Sequence, residues 1–146
     1  MRQNRMRDVA PVIAIATAGC LLTGTPREYR EFVTVTPKDA FSCALAVVDS
    51  SGYNITSSDR AGGFLRASHI INAGSHDQIS VTILPQSGDT TEVHVTAETF
   101  ASAPNNDAPP TTGLTKPSSG VKALATYVLS RCGSPGAAPA DTAHRS

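Results

Sequence analysis

The sequence is poor in aromatic and charged residues. It contains no Trp, four Phe and three Tyr, and charged residues make up only 16% of the chain. Twelve Lys and Arg are balanced by twelve Asp and Glu, which gives a formal net charge of zero. Because nucleic-acid-binding domains carry an excess of clustered Lys and Arg, this balance argues against a nucleic acid as the partner.

Long apolar runs are also absent. No stretch approaches the roughly 20 apolar residues that a transmembrane helix needs. Leu, Ile, Val and Phe form only about a fifth of the 146 residues, little more than in disordered chains, and they concentrate between residues 31 and 100. The chain therefore suits one domain with a small central core and low-complexity flanks.

Motifs of catalysis and metal binding are missing as well. The four His lack the H-x-x-x-H spacing of metal ligands, and no C-x-x-C pair occurs. No G-x-S-x-G nucleophile elbow and no paired carboxylates stand out. We predict solvated surface histidines: His69 and His94 on strands, His76 in a loop and His144 in the C-terminal tail. The expectation is a protein without metal, cofactor or enzymatic activity.

The N-terminal residues have the pattern of an export signal. Arg2, Arg5 and Arg7 form a basic start without an acid, and residues 9–22 are mostly apolar and small. A basic segment followed by a short apolar one is typical of a secretory signal. The cleavage site has two interpretations. Residues 16–18 (ATA) fit an ordinary signal peptidase that cuts before Gly19, whereas residues 17–20 (TAGC) resemble the lipobox of bacterial lipoproteins.

The number of cysteines favours the lipoprotein interpretation. In that family the lipobox Cys is lipidated and becomes the mature N-terminus, which here is Cys20. Three Cys in an exported protein leave one unpaired. Lipidation of Cys20 would leave Cys43 and Cys132 free to form a disulfide in an oxidising compartment. The alternatives are an unlipidated Cys20, and free thiols at the other two positions.

These observations predict an order along the chain. Residues 1–19 are a signal peptide of lipoprotein type, and residues 20–30 are a lipid-anchored tether to a bacterial membrane. Residues 31–132 form one domain with a long loop at 101–119, and residues 133–146 form a disordered tail. The protein would lie in the cell envelope, at the outer membrane or on the outer face of the cytoplasmic membrane.

Within the domain, hydrophobic periodicity predicts one strand, a helix, four strands and a second helix. Thr36 and Pro37 are typical of a helix start, and Gly52 follows where that helix ends. The apolar stripe of this helix, spaced i, i+3, i+4, i+7, consists of Phe41, Ala44, Leu45 and Val48. The predicted strands are 31–36, 53–58, 64–71, 78–84 and 90–100, and the second helix starts at Ser118 or Ser119. Because the strands alternate apolar and polar residues, we predict an antiparallel sheet of four to five strands with both helices on one face.

Three patterns occur in the order in which one known family has them. They are residues 40–46 in the first helix, the SGYNI segment at 51–55 and the SDRAGG segment at 58–63. They resemble the helix-grip domain of the C lipoprotein of the outer-membrane β-barrel assembly machinery. In that family a helix ends in Gly-aromatic, a strand follows, and an Asp-Arg-x-x-Gly turn leads to the next strand. The resemblance implies a sheet that grips a long C-terminal helix, on an accessory lipoprotein that contacts other envelope proteins.

Two functional hypotheses follow. In the first, the protein is a non-catalytic envelope lipoprotein that binds another envelope protein through a sheet edge or the polar sheet face. In the second, the groove between the sheet and the C-terminal helix holds a small apolar ligand, because Ala123, Ala125 and Thr126 leave room beside that helix. The first is the preferred expectation, since no polar residues are predicted to converge on a pocket.

Overall fold

The computed structural model of the chain describes residues 24–103 and 111–133. Its elements in chain order are β1 Arg27–Val33, α1 Pro37–Ser50, β2 Asn54–Asp59, β3 Phe64–Asn72, β4 Ser75–Pro85, β5 Thr91–Ala103, β6 Thr111–Thr115 and α2 Ser119–Cys132. Among the described residues, no helix has both the length and the apolar character needed to cross a bilayer. The predicted signal peptide, Cys20 and most of the predicted tail, with His144, lie outside these ranges.

The strands form one antiparallel sheet in the order β1-β5-β4-β3-β2, and β6 also pairs with β5. Strand β1 pairs with the first half of β5, from Thr91 to Ala97, and β6 pairs with the second half, from Thr99 to Ala103. Because β4 occupies the other edge of β5, β1 and β6 lie end to end along the same edge. The backbone N–H of Gly24 donates to the carbonyl of Leu114 at 3.0 Å and joins the two short strands.

Local sequence signals account for the start of α1 and for the turn between β2 and β3. The Thr36 side chain accepts a hydrogen bond from the Asp39 N–H at 3.1 Å, and Pro37 follows as the first helical residue. In the turn, the Asp59 carboxylate accepts from two backbone N–H groups at 3.0 Å. Gly63 adopts a φ of +65°, and a Cβ there would overlap the Ile83 carbonyl oxygen. A side chain at this position would therefore strain the backbone and collide with β4.

Both helices pack on one face of the sheet. The core lies between this face and the two helices. The fully buried core side chains with the largest volumes are Leu65, Ile79, Val48, Val81, Val93, Val95, Val121 and Val128. The opposite face of the sheet, called the outer face below, carries the polar residues that alternate with this core. The predicted α+β class and helix-grip arrangement are therefore confirmed, with six strands rather than four or five.

A disulfide joins the two helices. Cys43 in α1 and Cys132 at the end of α2 are bonded, with their Cα atoms 5.6 Å apart and a separation of 89 positions in the chain. Cys132 is buried in the core, and Cys43 packs against it. This is the pairing expected from the sequence, and it fixes the C-terminal end of α2 beside α1.

Three predicted boundaries were wrong. Strand β1 begins at Arg27, inside the predicted 20–30 tether, because β5 is long enough to pair with these charged residues. The predicted loop at 101–119 contains the end of β5 and all of β6, whose TTGLT sequence is ordered by pairing with β5 rather than by its own pattern. Strand β4 begins at Ser75, so His76 lies in a strand and not in a loop.

Replacing both Cys43 and Cys132 by Ala should lower the free energy of unfolding by about 4 kcal/mol. The reason is that the disulfide closes a loop of 89 residues in the unfolded chain. Urea unfolding followed by circular dichroism measures the change, with Ser42→Ala as the control on the same helix. An unfolding midpoint equal to that of the control would contradict a stabilising role for this disulfide.

Candidate functional site

A cavity of about 670 Å³ opens to solvent beside the N-terminal half of α2. We call it the groove. Its apolar wall consists of Ile71 at the end of β3 and Leu124 and Tyr127 on α2. The polar residues that line it include Tyr53, His69, Asp77 and Ser118. The groove thus combines an apolar wall with hydrogen-bonding groups, which is the usual composition of a small-molecule site.

Asp77 is the centre of the polar part of the groove. Its side chain extends from the helix-facing side of β4, and the residue is only 3% exposed. The carboxylate accepts hydrogen bonds from Ser118 Oγ at 2.7 Å, Thr99 Oγ1 at 2.5 Å and the Tyr53 hydroxyl at 3.4 Å. A buried carboxylate is costly unless it is hydrogen-bonded, and these three hydroxyls supply the partners.

The same network fixes the start of α2. Ser118 Oγ donates to Asp77 and also accepts from the N–H of Val121 at 3.1 Å, so it is the N-cap of the helix. The Ser118 N–H donates to Thr99 Oγ1 at 2.8 Å. Since the N-terminus of a helix carries a partial positive charge, it also stabilises the Asp77 carboxylate. The negative charge is therefore held at the place where α2 meets the sheet.

Tyr53 and His69 form the side of the groove opposite α2. Burial of the Tyr53 hydroxyl, together with the nearby Asp77 carboxylate, raises the pKa of Tyr53 far above its ordinary value. The hydroxyl therefore remains a proton donor at neutral pH. The His69 ring lies 5.2 Å from the Tyr53 ring, and its Nδ1 is 3.3 Å from the Gly52 carbonyl oxygen. Because a carbonyl only accepts, Nδ1 is the donor in this contact.

The other predicted histidines lie away from the groove. His94 is on the outer face, where its Nε2 lies 3.7 Å from the Glu28 carboxylate, beyond hydrogen-bonding distance. His76 stacks on Phe100 with the ring centroids 5.1 Å apart. Within residues 24–103 and 111–133, no group of three or more His, Cys, Asp or Glu side chains is placed to hold a metal ion.

Sequence reasoning missed Asp77 and the convergence of polar groups around it. The predicted strands 64–71 and 78–84 leave Asp77 in the connection between them, and the sequence predicts no polar residues that meet at a pocket. A signal was present, because Asp77 shares its two-residue period with the buried Ile79, Val81 and Ile83. Extending that alternation by one step would have placed a carboxylate on the helix-facing side of the sheet.

Comparisons with protein-family models and with curated proteins find no match. Among solved structures, fifteen chains match. One is the crystal structure of Ara h 8.0201, which is 13% identical to this chain with a TM-score of 0.40. The alignment covers 73% of this chain and 98% of that one. A likeness of this extent carries no argument about the ligand or partner of this chain.

Replacing Asp77 by Asn should destabilise the protein by about 2 kcal/mol. The substitution removes a charged acceptor and directs an amide N–H₂ toward hydroxyls that now donate to Asp77. Asp89→Asn, in the exposed turn before β5, is the matched control and should leave stability within about 0.5 kcal/mol. Urea unfolding measures both variants, and equal midpoints would show that the Asp77 network does not hold α2 to the sheet.

Proposed function

We propose that this protein is a non-catalytic lipoprotein of the bacterial cell envelope that binds a small ligand in the groove. The observation that carries the binding function is the open cavity in which an apolar wall faces Tyr53, His69 and Asp77. The convergence of polar groups also reverses the order of the two hypotheses drawn from the sequence. Ligand binding becomes the first candidate, and binding of an envelope protein becomes the second.

The pairing of the cysteines supports the anchor. With Cys43 bonded to Cys132, the remaining one of the three Cys is Cys20, within the lipobox-like segment. The described fold begins at Gly24, four residues further along the chain. An acyl-modified Cys20 would therefore hold the domain directly at the bilayer.

The chemistry of the groove defines the ligand class. Ile71, Leu124 and Tyr127 offer apolar contact, whereas the Tyr53 hydroxyl and the His69 ring are hydrogen-bonding groups at one side. Asp77 already accepts three hydrogen bonds from neighbouring hydroxyls. Its carboxylate therefore holds these side chains in place and is not an open binding site for a cation. The ligand that fits is a small, uncharged amphipathic molecule with an apolar body and one polar end.

The second candidate is a protein partner at the edge strand β2. All six residues of β2, Asn54–Asp59, are exposed, and within the described part of the chain this strand pairs only with β3. An open strand edge is a site at which another chain can add a strand. An accessory role beside a β-barrel assembly machinery, which the sequence resemblance implies, would use such an edge.

Changing Cys20 to Ser should move the protein from the membrane fraction to the soluble fraction of the cells that make it. Acyl chains would supply most of the membrane affinity, and a serine cannot carry them by this route. The measurement is the intact mass of the extracted chain together with its distribution on fractionation. A wild-type mass that matches cleavage before Gly19, with no lipid, would refute the anchor.

Filling the groove should abolish binding of a neutral apolar dye such as Nile red. Ala123 lines the groove on α2, so Ala123→Phe places a ring in the space that a ligand would occupy. The matched control is Thr126→Phe, which adds the same ring to an exposed position of α2 outside the lining. We expect at least a tenfold loss of affinity for the first variant alone. Equal binding by both variants, or no binding by the wild type, would contradict the ligand site.

Cross-linking in intact cells distinguishes the second candidate from the first. A cross-linker placed at Ser57, in β2, should capture one defined envelope protein if the edge is a docking site. The control is a cross-linker at Ser50, an exposed position on α1. If both positions capture the same proteins in the same amounts, the β2 edge has no dedicated partner.

A further inference from the structure

A second cavity, of about 600 Å³, lies on the other side of the α2 N-terminus from the groove. It is bounded by residues of the first described segment, by two residues before α2 and by one on α2: Gly24, Thr25, Pro26, Arg27, Tyr29, Lys116, Pro117 and Lys122. Three of its lining residues are basic, Arg27, Lys116 and Lys122, and none is acidic. We call it the basic cavity. It assembles from residues almost 100 positions apart, so the balanced composition of the chain did not reveal it.

No acidic side chain of the described residues pairs with the positive charges of the basic cavity. None of the three basic side chains forms an ion pair within residues 24–103 and 111–133. Arg30, three residues further along β1, is by contrast within 4 Å of both Glu28 and Glu92. An exposed cluster of unpaired cations attracts an anionic partner.

The short distance along the chain from the basic cavity to Cys20 indicates that lipid headgroups are the nearest anions. Gly24 belongs to the cavity lining and is fixed to β6 by its hydrogen bond to Leu114. It lies four positions after Cys20, a span of at most about 14 Å even when fully extended. If Cys20 carries the lipid, as proposed above, the basic cavity lies at the headgroup level of the bilayer.

The other residues at this end of the sheet are suited to the same surface. Ile70 is paired with His76, which pairs with Phe100, which pairs with Leu114, so all four lie on one row across the sheet. Gly24 is hydrogen-bonded at the end of that row. Ile70 is 71% exposed and its neighbour Ile71 is 46% exposed. Exposed apolar side chains at the same end of the sheet as unpaired cations suit a membrane surface.

We infer that the basic cavity binds the phosphate groups of anionic lipids in the membrane that holds Cys20, and that it orients the domain on that membrane. This inference rests on the proposed lipid anchor. Acyl chains alone would leave the domain free to rotate about its tether. Contacts from Arg27, Lys116 and Lys122 would fix which end faces the bilayer, and each contact strengthens the attraction by about fivefold.

The lysines of the chain provide an internally controlled test. The sequence contains three, and Lys38 lies at the start of α1, beyond the opposite end of β1 from the basic cavity. The chain extracted from membranes is added to preformed vesicles of phosphatidylcholine, either alone or with about one third phosphatidylglycerol. A membrane-impermeant acetylating reagent then labels the lysines, and mass spectrometry gives the labelling rates of Lys116 and Lys122 relative to Lys38.

We expect the relative labelling of Lys116 and Lys122 to fall at least fivefold when phosphatidylglycerol is present. Arg27→Gln should remove most of this protection, whereas Arg30→Gln, on the same strand but ion-paired, should leave it unchanged. Equal relative labelling in both kinds of vesicle would overturn the inference. Protection of the same size by inorganic phosphate in detergent would also overturn it, because the site would then take a soluble anion.

The intact mass of the same sample distinguishes failure of the proposed lipid anchor from failure of the proposed membrane orientation. A chain without lipid would contradict the anchor, and with it the membrane orientation. A lipidated chain whose Lys116 and Lys122 remain unprotected would contradict the orientation alone and leave the proposed anchor standing.

Discussion

The attachment of α2 to the sheet is the constraint on which the rest of the structure depends. The Asp77 carboxylate binds the N-cap residue Ser118 at one end of the helix, and the Cys43–Cys132 disulfide holds the other end. Between these two points the helix buries a stripe that includes Val121 and Val128. Because folded proteins are only marginally stable and this core is small, we expect the loss of either attachment to lower stability appreciably. They also leave room for a cavity on each side of the α2 N-terminus.

The two cavities differ in chemistry because of the residues that flank Ser118. On one side, Tyr53 and the apolar residues of β3 and α2 form the groove. On the other, Lys116 and Lys122 meet Arg27 from the start of β1. The proposed lipid anchor and the proposed binding site therefore lie at the same end of the domain. A ligand with an apolar body, which is concentrated in a bilayer, would then reach the groove over a short distance.

Structural features that depend on residues close together in the chain could be predicted from the sequence. Features that depend on contacts between distant residues could not. Thr36 and Pro37 specify the start of α1, and Asp59 with Gly63 specifies the turn before β3, because each acts within a few residues. Strand β6 has no strong pattern of its own and forms because β5 is long. The Asp77 site depends on Ser118, 41 residues away, and on the register that places Thr99 opposite Asp77. Neither relation is visible until the sheet is assembled.

Chemical-shift mapping tests most directly whether the groove binds a small amphipathic ligand. The ¹⁵N-labelled protein is titrated with an organic extract of bacterial membranes while its backbone amide signals are recorded. The account predicts that the largest shifts lie at groove residues, with Tyr53, His69 and Tyr127 among them. An absence of shifts, or shifts that centre on outer-face residues such as His94 and Glu98, would contradict it.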